Sequence, residues 1–108
     1  MDAWEITDVE AAHAAAGKLY HEFVRVPDLS AGLYVLEAGA SDPQSLHTED
    51  ELYYVISGRA VVTVGGETRP VVPGTLVFVA ATVPHRFHDI AERLELLVLF
   101  GPAEGDRA

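Results

Sequence analysis

No cysteine occurs in the sequence, which excludes a disulfide framework and a thiolate zinc cluster and leaves imidazole, carboxylate and amide groups as the only strong metal ligands. Basic residues are also scarce: seven Lys and Arg stand against seventeen Asp and Glu, for a formal charge of -10. Such a field repels phosphate backbones and anionic lipid headgroups, so neither nucleic acid nor membrane is expected as a partner. No apolar run approaches the roughly 18 residues that a membrane-spanning helix needs. The opening MDAWEITDVEAAHAAAG carries Asp2, Glu5, Asp8 and Glu10 and has no basic start before an apolar stretch. The expectation is a mature N-terminus without a secretory signal, and a cytoplasmic location.

What the chain does have is apolar residues, 49% of 108, enough for one packed interior and too many for a disordered chain. A single domain is expected, with a helical cover over 1–19, a β-barrel over 20–100 and a flexible polar tail over 101–108. Thr7 to Lys18 carries helix signals: Thr7 as cap with Glu10 placed for a capping box, a run of alanines, and Gly17 as a stop. His13 within it is expected to face solvent.

From Tyr20 onward the texture is that of strands, apolar runs or alternations broken by Gly, Pro and Asp. The runs are Tyr20–Val26, Leu33–Ala38, Glu51–Ser57, Ala60–Val64, Thr68–Val72, Thr75–Ala80, His85–Ile90 and Leu94–Phe100. Gly65-Gly66 supplies the positive φ of a two-residue hairpin loop, so the fourth and fifth runs should pair antiparallel. Pro70, which has no amide to donate, marks the fifth as an edge strand, and Pro73-Gly74 makes the next turn. No long helices separate the strands, which excludes a parallel α/β sheet. An all-β fold remains, either a jelly-roll double sheet or an up-and-down barrel.

The residues able to do chemistry gather at strand beginnings. His47 and Glu51 bracket the start of the third run and His85 starts the seventh. Two imidazoles and one carboxylate form a facial ligand set suited to iron, manganese, nickel or zinc. The bland alternative is that His47-Thr-Glu-Asp-Glu51 is a solvated acidic turn, with Glu49 and Asp50 facing water. His88 falls on the opposite face of its strand from His85 and reads as a surface or supporting group. His21 reads as structural.

The order Gly39, Ser45, His47, Glu51, Gly58 resembles the first motif of the cupin superfamily, a glycine, His-x-His, a glutamate and a glycine at these separations. The second motif, glycine, Pro-x-Gly, histidine and asparagine, resembles Gly74 through Asp89, with His85 in the ligand place. The resemblance covers about half the chain and implies a double-stranded β-helix, the jelly-roll cupin barrel, with a short N-terminal helix in front. It also implies one divalent metal ion and a tendency to form homodimers. The chain departs from the motifs at Ser45, which stands where a ligand histidine is usual, and at Ala80, Thr82 and Asp89, read as structural departures of little cost. A hydroxyl is a poor donor to a divalent ion, so Gln44 beside it joins His47, Glu51 and His85 as a candidate ligand, with water or substrate as the other occupants of that position.

Tyr34, Tyr53, Phe78 and Phe87 have parities that aim them inward, to line an apolar pocket around the ion or simply to pack the core. With the valines they suit a hydrophobic or aromatic carbonyl compound better than a sugar. Arg59 and Arg86 are candidates for pairing with an anionic substrate, against the ordinary reading as surface salt bridges. The expected function is a metal-dependent cupin acting on a small molecule by dioxygenase, isomerase or cyclase chemistry. The alternative is a non-catalytic binding or sensor cupin in which the Ser45 replacement has degraded the metal site.

Overall fold

The computed structural model describes residues 1–43 and 47–105. Helix α1 (Ile6–Ala16) precedes β1 (Tyr20–Val26), β2 (Leu29–Leu36), β3 (Asp50–Ser57), β4 (Ala60–Val64), β5 (Glu67–Val71), β6 (Leu76–Val79), β7 (His85–His88) and β8 (Leu94–Gly101). Two antiparallel sheets result, one ordered β1-β2-β8-β3-β6 and the other β5-β4-β7. This is a jelly-roll sandwich, the double-stranded β-helix expected.

Alternation decides what lies between the sheets. Glu51, Tyr53 and Val55 of β3 are buried while Asp50, Leu52 and Tyr54 are exposed, so one face of the strand carries both core and chemistry. The interior is built from Leu36, Tyr53, Val55, Val62, Val71, Val79, Phe87, Leu94, Leu96, Val98 and Phe100. Phe87 is wholly buried, and its truncation to alanine would cost about 3–5 kcal/mol.

The turns follow their sequence signals. Val64 pairs with Glu67 across Gly65-Gly66; Gly65 has φ 58 and Gly66 lies outside the left-handed region, the pattern of a type II′ turn. Pro70 sits on β5, the edge of the smaller sheet. Gly58 has φ 95, and a Cβ there would strike the Arg93 carbonyl, so no other residue fits.

Several expectations are corrected. Helix α1 starts at Ile6 with Glu5 as N-cap and no side-chain capping bond, so Thr7 lies inside the helix and forms no capping box with Glu10. His13 is buried, its Nε2 donating to the Leu19 carbonyl at 2.8 Å and so fixing the entry into β1. The β2 strand begins at Leu29 rather than Leu33, because Val26 and Leu29 pair in a tight hairpin. Gly32 inside it makes room for Tyr20: a Cβ there would collide with the Tyr20 ring where it now sits. Of the segment read as a loose tail, Gly101 ends β8, Ala103 is fully buried, and the Glu104 amide donates to Ser30 Oγ at 2.9 Å; residues 106–108 lie outside the described residues.

The helix covers the outer face of the larger sheet, where Val9 packs on Leu33 and Val35 with Phe23 beside them. No helix among the described residues is long and apolar enough to cross a membrane.

Candidate metal centre and cavity

His47, Glu51 and His85 meet inside the sandwich, each offering one ligand atom, all within 4.8 Å of one another. One backbone bond and one bond to a side chain support this convergence. The Thr82 amide donates to the His47 carbonyl at 2.7 Å, and the Ala81 amide donates to Asp50 Oδ1 at 2.8 Å. The loop before β7 is thereby held against the segment that enters β3. Gln44 and Ser45 lie outside the described residues.

The tautomer of His85 is set by its surroundings. Its Nδ1 lies 2.8 Å from the Val83 carbonyl, which can only accept, so Nδ1 carries the proton and Nε2 faces the cavity. That Nε2 is 3.0 Å from Glu51 Oε1 and 3.1 Å from the Tyr53 hydroxyl. Burial pushes the His85 imidazole down, but the Glu51 carboxylate, the Val83 carbonyl and the charges of Glu51 and Asp42 carry it above its ordinary value. His47 packs its ring edge-on against Phe100 at 5.0 Å, with Nδ1 3.4 Å from Glu104 Oε2.

Glu51 provides the test of fit for a cation. It is 2% exposed, and its Oε1 lies 3.0 Å from His85 Nε2. With the imidazole proton on Nδ1, a lone pair and a carboxylate oxygen this close need a shared proton or a cation between them. The nitrogen and oxygen donors match a divalent transition metal.

The cluster opens into a cavity of about 250 Å³ lined by Tyr20, Tyr34, Asp42, Tyr53, Phe100 and Glu104 along with the three residues of the cluster and Leu19, Pro43 and Val98. Tyr34 donates to Asp42 Oδ1 at 2.5 Å, and Asp42 Oδ2 accepts from the Phe87 amide at 2.9 Å. Burial is the leading cause holding the Tyr20, Tyr34 and Tyr53 phenols far above their ordinary value, joined by nearby carboxylates; all three keep their protons. Burial also raises the Glu104 carboxyl, opposed by His47 and reinforced by Glu22, Glu49 and Glu51.

The sequence-based assignments divide accordingly. Tyr34 and Tyr53 line the cavity. Phe87 does not; it stands behind Tyr53, edge-on to its ring at 5.0 Å. Phe78 points outward and is 62% exposed, because Val77 and Val79 take the inner face of β6 in the continuous apolar run Leu-Val-Phe-Val, where alternation gives no phase. Glu49 is buried rather than solvent-facing and accepts from Thr48 Oγ1. His88 bonds Thr63 Oγ1 and Asp89, away from the cavity. Arg59 pairs with Glu92 on the surface, and neither it nor exposed Arg86 lines the cavity. Asp42, Tyr20 and Glu104 were missed; a glycine within an apolar strand, Gly32, was the one signal for the close approach of Tyr20.

Residues 32–100 match the family model described as "Cupin domain". An uncharacterized protein of Streptomyces coelicolor, SCO3923, is 47% identical over 104 residues, covering 96% of this chain and 99% of the relative. Among solved structures, the DMSP lyase DddQ of Ruegeria pomeroyi DSS-3 is similar with TM-score 0.66 and 27% identity, over 70% of this chain and 39% of the lyase. This chain therefore spans about two fifths of that protein's length. KdgF from Halomonas sp. is similar with TM-score 0.73 and 24% identity, over 82% of each chain.

Proposed function

We propose, from the premise that this chain belongs to the cupin family, that it is a metal-dependent cupin acting on a small organic molecule held in the barrel. The observation that carries the reading is the convergence of His47, Glu51 and His85, whose ligand atoms all lie within 4.8 Å of one another in one cavity. Likeness to a DMSP lyase at 27% identity supports an enzymatic role.

His47, Glu51 and His85 would hold one divalent ion, iron, manganese, nickel or zinc. Such an ion supplies Lewis acidity toward an oxygen of the substrate, and iron would add dioxygen chemistry. The chain's own residues would do the rest. Val83 holds the His85 ring in the ligating tautomer. Tyr53, protonated and within reach of His85, would keep a hydrogen-bond donor beside the ligands. Tyr20, Tyr34 and Phe100 would exclude water from the substrate's apolar part. Dioxygenase, isomerase and cyclase reactions all begin from a substrate oriented in this way.

Elemental analysis of protein purified without chelator tests this, repeated on His47→Ala and Glu51→Ala. About one divalent ion per chain, lost in both variants, is expected; a chain that takes up no ion at micromolar concentration refutes the reading.

A second reading, a non-catalytic small-molecule binding cupin, draws on Ser45 standing where the family motif has a ligand histidine. Tight ligand binding that is indifferent to metal, with nothing consumed, would establish it instead.

For assembly we propose a homodimer. Leu52, Tyr54, Leu76 and Phe78 are exposed together on the outer face of β3 and β6, and β6 is the edge of its sheet. An apolar stripe beside an edge strand is a self-complementary surface for a second copy.

A further inference from the structure

The fully charged side chains lining the cavity are all acidic. Asp42, Glu51 and Glu104 all line it, and no lysine or arginine does among the described residues. The guanidinium near its rim, Arg25, is turned to Glu22 Oε1 at 2.9 Å and to the Glu104 backbone carbonyl at 2.7 Å. Three carboxylates outnumber the two charges of a divalent ion, so a carboxylate or phosphate ligand would enter against net negative charge.

Aromatic rings surround the same space. Tyr20 stands edge-on to Tyr34 at 6.4 Å and to Phe100 at 6.1 Å, with Tyr53 and His47 completing the wall. The Tyr20 hydroxyl, closed off from solvent, has no partner, and Glu51, almost wholly buried, holds Oε1 3.0 Å from His85 Nε2 in the same cavity. Rings beside carboxylates, with no lysine or arginine in the lining among the described residues, are what an organic ammonium group requires. The volume, about 250 Å³, falls below the roughly 300–1,000 Å³ of drug-sized pockets, so the ligand must be small.

We propose that this cavity selects a small cationic ligand, its ammonium-type group seated among Tyr20, Tyr34 and Phe100 with Glu104 and Asp42 as counter-charges. The ligand's other end points to the His47, Glu51, His85 cluster. This deepens the function proposed above and rests on the same cavity being the ligand site. It also replaces the apolar carbonyl compound suggested by composition, because Asp42 and Glu104 were not visible as lining residues in the sequence.

The test is calorimetric titration of the full, metal-analysed chain with phenyltrimethylammonium, benzamide and benzoate, probes of similar size that differ in charge. Phenyltrimethylammonium has no lone pair to offer a metal, so its binding reports the rings and carboxylates alone. It is expected to bind about tenfold tighter than benzoate, more weakly as salt is raised. Glu104→Gln should weaken it about threefold or more and leave benzamide unchanged. Tyr20→Phe should preserve binding and Tyr20→Leu reduce it about threefold, since only the latter removes the ring. Benzoate binding as tightly as the cation, or no probe binding at millimolar concentration, overturns the inference. A sample that carries no metal but still prefers the cation would remove the metal reading and leave this one standing; a metal-loaded sample that prefers benzoate would do the reverse.

Discussion

The Thr82 amide donates to the His47 carbonyl at 2.7 Å, which joins the segment before β3 to the loop before β7 through the backbone. A main-chain bond thus helps to bring together ligands from two distant stretches. Thr82 does this at φ 66, a left-handed conformation that β-branched residues rarely adopt. It stands where the family motif has glycine, so that replacement, first read as cheap, carries strain of about 1 kcal/mol or more.

Thr82→Gly should therefore stabilise the fold by about 1 kcal/mol while keeping the amide that holds His47. Thermal denaturation would show a rise of about 4 °C, with metal uptake unchanged. No rise in melting temperature would show that the strain is already relieved locally.

Asp42 joins Tyr34 to the Phe87 amide, bridging β2 and β7 across the cavity. Asp42→Ala leaves a phenol and an amide unpaired, at a cost of about 2 kcal/mol. Tyr34→Phe removes one partner and should cost about 1 kcal/mol. Because the two share one bond, urea denaturation of the double variant should show less than the sum.

Glu95 lies beneath the helix, 4% exposed, opposite Val35 in the register of β2 with β8. Burial first, then Glu10, push its carboxyl up to about 7 from 4.5, against Arg93. Between those values the folded chain holds a proton that the unfolded chain has released. Stability therefore falls as pH rises through that window and levels off above about 7. Melting temperature followed from about pH 5 to about pH 8 should decline in the native chain and stay flatter in Glu95→Gln. Parallel curves would contradict the assignment.

The exposed stripe on β3 and β6 predicts that charge there prevents self-association. Phe78→Glu, at a position 62% exposed, should leave the unfolding free energy of the monomer within about 0.5 kcal/mol of the native value. Light scattering should report a dimer for the native chain and a monomer for the variant. A native monomer, or a variant that still dimerises, moves the interface elsewhere.

How much of this was legible beforehand depends on the range of the interaction responsible. The Gly65-Gly66 hairpin, the edge position of Pro70 and the Pro73-Gly74 turn all depend on φ preferences and missing donors within a few residues. Those properties belong to the residues themselves, and each appears where it was expected. Boundaries were less legible: Leu29 to Gly32 begins β2 although Ser, Ala and Gly are weak strand formers, because pairing with β1 and β8 overrides them. Gly101 to Glu104 looked loose for a related reason, since glycine and proline composition does not show that Ala103 is buried or that Ser30 binds the Glu104 amide.

The candidate site divides along the same line. By itself the sequence excluded thiolates and offered His47, Glu51, His85 and Gln44 as candidate ligands, since chemistry and spacing are local facts. It also placed Glu51 and His85 at strand beginnings, where alternation can aim them inward. Only the tertiary structure decided which face of β6 carries Phe78, that Glu95 and Glu49 are buried, and that Tyr20, Asp42 and Glu104 close the cavity. Each of those depends on which strands become neighbours, a choice made by global packing among residues far apart in the chain, and no short stretch of sequence encodes it.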